Sequence, residues 1–141
     1  MNSKPYEVKL APKIEKWFRQ LDPELALHLL ELLVEGELKT NPYPRPDQPK
    51  LIKSLRGLKK TNPKCYRLRV YRDQKAGIYD EYRFYYTITT PHVDKTAWSG
   101  YVILLEISGP SAEDKKSAVE RLKKLKGIKL VELQELLGLP T

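Results

Sequence analysis

Cys65-Tyr66-Arg67-Leu68-Arg69-Val70, followed by Tyr82-Arg83-Phe84-Tyr85-Tyr86-Thr87-Ile88-Thr89, is the stretch on which the reading of this chain turns. In an extended chain successive side chains point to opposite faces. Tyr66, Leu68 and Val70 then share one face, and Arg67 and Arg69 share the other. In the second segment Tyr82, Phe84, Tyr86 and Ile88 form one row, and Arg83, Tyr85 and Thr87 form the opposite row. Burying the apolar rows is expected to aim the guanidinium groups of Arg67 and Arg69 outward together.

Working outward, Tyr101 to Ile107 is apolar on both sides except for Glu106, which predicts a central strand. Arg72 to Glu81 and Thr90 to Gly100 carry turn residues and read as loops. Upstream, Tyr6-Glu7-Val8-Lys9-Leu10 alternates and predicts a strand. Ile14, Trp17, Phe18 and Leu21 have helical spacing, with a start at Ala11 or Pro12. Asp22-Pro23 predicts a cap and first position of a second helix running to about Gly36, with Leu25, Leu29, Leu32 and Leu33 on one face. The short joint between the two makes a helix hairpin, and His28 within it reads as structural. Thr40 to Pro49, with four prolines, is an extended connector. Leu51 to Leu55 is a weak strand. Ser111 caps a helix with Glu113 and Asp114 in its first turn, and Lys129 to Leu137 predicts a last short helix. The expectation is one α+β domain over residues 1–141, with a core from about 6 to 110 and C-terminal helices from about 111 to 138.

The composition narrows the function. The 141 residues carry a net charge of +8. From Lys50 to Lys75 lie ten of the 26 basic residues and one of the 18 acidic ones, Asp73, so this segment holds +9 and the rest of the chain −1. A concentrated basic block predicts a polyanionic partner. Cys65 is the single cysteine, which excludes an intrachain disulfide and fits a reducing compartment. His28 and His92 lack ligand spacing, so no metal and no cofactor is expected. No apolar run reaches the ~20 residues of a membrane helix, and the N-terminus has no signal-like apolar core, so a soluble cytoplasmic protein is expected.

Leu55-Arg56-Gly57-Leu58, then Cys65-Tyr66-Arg67-Leu68-Arg69-Val70, then Tyr82-Arg83-Phe84-Tyr85-Tyr86, together resemble the core of RelE-like toxins in the RelE/ParE superfamily. The opening Tyr6-Glu7-Val8 strand and hairpin are similar to that family too, so the resemblance covers about residues 6–125. It implies an N-terminal strand and helix hairpin packed on an antiparallel or mixed sheet of four to five strands. It also implies a toxin of a type II toxin–antitoxin system, an endoribonuclease that cuts mRNA on the ribosome and is neutralised by a cognate antitoxin. Arg67 and Arg69 match the basic pair on the family's active strand, and Arg83 the arginine that steadies the scissile phosphate. The chain departs from the pattern in its long connection from Arg72 to Glu81. It also lacks an arginine and a tyrosine after Ile107, where Ser108 to Asp114 stand instead. The alternative is therefore a catalytically degenerate RelE/ParE-like protein that binds nucleic acid, the ribosome or gyrase.

Metal-independent RNA cleavage needs a base for the 2′-OH, cations for the phosphorane and an acid for the leaving oxygen. Arginine serves the second need, because its charged fork pairs with phosphate oxygens. Arg67, Arg69 and Arg83 are expected to form that cradle. Tyr85, in the Arg83 row, is the first candidate proton carrier, and Glu106 the second unless it pairs with one of the arginines. Lys53, Arg56, Lys59, Lys60, Lys64 and Arg72 are expected to contact phosphates without reading bases. Tyr66, Tyr71, Tyr79 and Tyr85 offer stacking surfaces, although Tyr66 belongs to the apolar row.

Overall fold

The computed structural model describes residues 5–55, 64–71, 81–89, 100–109 and 111–124, together with 132, 135 and 137–139. The chain is α+β, with an open mixed sheet of five strands. The strands are β1 (Tyr6–Leu10), β2 (Ile52–Ser54), β3 (Cys65–Tyr71), β4 (Glu81–Thr89) and β5 (Gly100–Ser108). Their order across the sheet is β1-β5-β4-β3-β2. The helices are α1 (Pro12–Arg19), α2 (Pro23–Val34), the single turn α3 (Glu37–Thr40) and α4 (Ala112–Lys123). Most of the helix expected over 129–137 falls outside the described residues.

By contacts the chain divides into two compact units. The first holds Met1–Pro42, Ile88–Leu104 and Leu130–Thr141. Here β1 runs parallel to β5, from Tyr6 opposite Gly100 to Leu10 opposite Leu104. Gly100 has φ 146°, a conformation that side chains resist, so glycine suits the start of this strand. The ladder continues one residue past β1, with Ala11 N donating to Leu104 O at 3.1 Å. Pro12 then opens α1, because a first-turn residue needs no N–H partner. Ile14 and Phe18, four apart, are buried, and Trp17 packs edge-on against Phe18 with ring centres 5.2 Å apart. Asp22 caps α2 by accepting from Leu25 N at 3.3 Å. Leu29 and Leu33 form the buried stripe of α2, while His28 lies on its exposed face.

The end of α2 departs from expectation. A Cβ on Gly36 would overlap Leu32 O, so only glycine lets the chain turn this closely. That turn starts α3, which buries Leu38 completely. The connector therefore begins after Thr40.

The second unit holds Tyr43–Thr87 and Leu105–Lys129. Here β2, β3 and β4 form an antiparallel set. α4 starts at Ser111, whose Oγ accepts from Asp114 N at 3.0 Å, and it buries Ala118 and Leu122. β5 is buried at all nine positions, as expected of an inner strand.

Candidate nucleic-acid interface

The strand register decides which of the basic side chains share a face. Arg67 lies opposite Tyr85, and Arg69 lies opposite Arg83. Lys53 of β2 lies opposite Arg67. Directly opposed residues of antiparallel strands project to the same side. Lys53, Arg67, Arg69, Arg83 and Tyr85 therefore stand on one side of the sheet. Ser108 of β5 joins them, because the Tyr85 hydroxyl and Ser108 Oγ are 3.3 Å apart. Glu106, two residues before Ser108, follows on that side.

Sharing a side does not make these groups equally accessible. Arg67 is only 7% exposed. Its Nη2 donates to Lys50 O at 3.0 Å, which holds the chain leading into β2 against the sheet. The outward-pointing guanidinium expected of Arg67 is thus corrected: the side chain is buried and donates to a main-chain carbonyl. Tyr85 is corrected in the same way. It is 1% exposed with its hydroxyl against Ser108, so its place in the described structure is a packed one. Glu106 is also buried. It pairs with Arg121 of α4 at 3.0 Å.

Arg69 and Arg83 are half-buried, and Lys53, Lys64 and Lys50 are exposed. The backbone N–H of Arg69 donates to Leu51 O at 3.0 Å, extending the β2–β3 ladder. Its side chain lines a hollow of about 440 Å³ with Gln48, Pro49, Lys50 and Leu51. By holding Lys50 O, Arg67 builds one wall of the hollow that Arg69 lines. Arg67, Arg69 and Arg83 all make further contacts within the chain. Arg56, Lys59, Lys60, Arg72, Tyr79 and His92 lie outside the described residues, as does the side chain of Tyr71.

The opposite side of β3 and β4 carries an aromatic group. Tyr66 stacks on Tyr86 with centres 5.8 Å apart, and Tyr43 meets Tyr66 edge-on at 5.9 Å. Lys64 Nζ sits 5.7 Å from the centre of the Tyr66 ring, at cation–π distance. Burial and the neighbouring Tyr66 push the Tyr86 phenol up, and Arg45 pulls it partly back. Burial also pushes the Cys65 thiol up to about 11, so this cysteine is a neutral core group. Tyr43 and Arg45 were not among the sequence candidates, because a run dense in prolines reads as a connector.

Among the described residues no group of histidines, cysteines and carboxylates has the arrangement of a metal site. No helix among them is long and apolar enough to cross a membrane. Comparison of the chain with family models, with curated proteins and with solved structures finds no match.

Proposed function

We propose that this chain is a RelE/ParE-type toxin that grips and cuts mRNA on the ribosome in the cytoplasm and is held in check by a cognate antitoxin. The observation that carries the reading is the placement of Arg69 opposite Arg83 on neighbouring strands, with Lys53 on the same side, Arg69 and Lys53 belonging to the segment of net charge +9. Two guanidinium groups side by side match the oxygens of a phosphodiester and keep their charge at any physiological pH. The mixed sheet and N-terminal strand–hairpin are compatible with that family.

A second reading has its own support. Tyr85 is enclosed against Ser108 and Glu106 is paired with Arg121, so neither expected proton carrier is placed to serve a phosphate on the arginine side. On this reading the protein binds nucleic acid, the ribosome or gyrase and does not cut.

Induced expression separates the two. The toxin reading expects translation to stop, new mRNA 5′ ends to be detected by primer extension, and Arg83→Ala to restore growth. Growth arrest with intact mRNA selects the binding reading, and altered plasmid supercoiling would then point to gyrase. Normal growth at high expression without an antitoxin overturns the toxin reading.

A further inference from the structure

β1 is the end of the sheet among the described strands: β5 pairs with one of its sides, and the strand order stops at the other. Ala11 N donates to Leu104 O, so Lys9 and Glu7, at alternate positions before it, also turn their main-chain groups toward β5. Those of Tyr6, Val8 and Leu10 turn to the outer edge. Among the described residues, none forms a hydrogen bond there with the main chain of Val8. A hollow of about 400 Å³ flanks this edge, lined by Tyr6, Glu7 and Val8 and by Val34, Glu35 and Lys39. Pro5 and Pro12, which carry no N–H, stand on either side of the strand, so pairing on its outer side is confined to β1 itself.

The charges on that edge suit one partner in particular, a second copy of the same strand. Glu7 and Lys9 share a face and meet at 2.8 Å. They stand on either side of Val8, the middle residue of Tyr6–Leu10. Antiparallel pairing of two copies centred on Val8 sets Glu7 of each opposite Lys9 of the other. The outward main-chain groups of Tyr6, Val8 and Leu10 then form the hydrogen-bonded pairs, and Glu7 and Lys9 fall in the closer positions between them. Sliding one copy by two residues would oppose Glu7 to Glu7 or Lys9 to Lys9, and parallel stacking in register would oppose both, each at a cost. The other edge of the sheet is built differently. β2 carries Lys53 as its only charge, and pairing centred there would oppose Lys53 to itself, a usual guard of an edge strand. We propose that β1 is a self-association edge, along which two copies of this chain pair β1 with β1 in an antiparallel, two-fold arrangement. Both copies use the same patch, so the contact closes at two. It is short, so the dimer is weak and depends on concentration. The proposal goes beyond the toxin reading and uses none of its residues.

Sedimentation equilibrium of the full chain, from about 5 to about 500 µM, reads the association. The wild type is expected to pass from monomer toward dimer over that range and to stop there. Glu7→Lys sets cation against cation at both contacts, and Lys9→Glu sets acid against acid. Each variant alone is expected to associate at least about fivefold more weakly. Both side chains are partly exposed, so losing the pair within one chain should cost little folding stability. An equimolar mixture of the two variants restores opposite charges and is expected to form a heterodimer at least as tight as the wild-type dimer. Glu7→Lys and Lys9→Glu in one chain exchange the two partners, and that variant is expected to self-associate as the wild type does. A wild type that stays monomeric over the whole range overturns the proposal. So does a dimer that withstands both single reversals, or a loss that neither the mixture nor the double exchange restores. Growth beyond two copies also overturns it, because the two-fold pair uses up this edge.

Discussion

Removing Arg121 tests what holds α4 to the sheet. Its guanidinium lies 3.0 Å from Glu106 Oε1, with side-chain exposures of 43% for Arg121 and 7% for Glu106. Two unit charges about 4 Å apart attract by about 1 kcal/mol in bulk water and about 4 kcal/mol at an effective dielectric of ~20. The half-exposed arginine places this pair toward the weaker end, at about 1–2 kcal/mol. Arg121→Ala loses that attraction and leaves a carboxylate in a buried position with fewer partners, for a total of about 2 kcal/mol. With a urea slope of about 2 kcal/mol per molar, the midpoint falls by about 1 M. Glu106→Gln keeps the shape and removes the charge. In that background Arg121→Ala should cost less than about 0.5 kcal/mol, giving a coupling of about 1–2 kcal/mol in the double-mutant cycle. Urea unfolding followed by circular dichroism measures all four proteins. A coupling near zero would refute the reasoning, because α4 would then be held without help from this ion pair.

Two further predictions concern buried groups. Burial raises the Cys65 thiol to about 11, so its contribution to stability is whole below pH 9, the unfolded value, and is lost as pH rises toward 11. The loss is roughly 2–3 kcal/mol, and Cys65→Ala should flatten the pH dependence of the urea midpoint over that window. Tyr85→Phe removes only a hydroxyl that meets Ser108, so it should cost about 1 kcal/mol and leave growth arrest on expression intact. Loss of arrest in a variant with an unchanged midpoint would restore Tyr85 as a catalytic residue.

The strands were legible because a period of two survives any tertiary context. Tyr66, Leu68 and Val70 are indeed the buried row, and the register puts Arg67, Arg69 and Arg83 together on the other side. Alternation reveals which side a residue faces and says nothing about what covers that side. Arg67 is covered through a carbonyl 17 residues earlier, and Tyr85 through a hydroxyl 23 residues later. Both contacts are tertiary, and no local pattern announces them. α3 escaped notice because four residues are too few to show helical spacing.

The crowding of β4 then limits where an anion can go. Phe84, Tyr85 and Tyr86 are at most 1% exposed, so both sides of the strand are closed there. Among the described residues of β3 and β4, the arginine side is more open at the Arg69–Arg83 pair, one step along from the enclosed Arg67–Tyr85 pair. Like charges directly opposed on paired strands cost about 0.2–1 kcal/mol. The three arginines should therefore separate by experiment. Arg83→Gln should weaken RNA binding and lower the slope of log K against log salt by about 1. Arg67→Gln should instead cost about 1.5–3 kcal/mol, because Lys50 O loses a charged donor, and it should leave the salt slope nearly unchanged. Urea midpoints and salt titrations on the two variants read both quantities. A salt slope that falls with Arg67→Gln at full stability would mean that Arg67 meets phosphate directly, and that its bond to Lys50 O gives way when RNA binds.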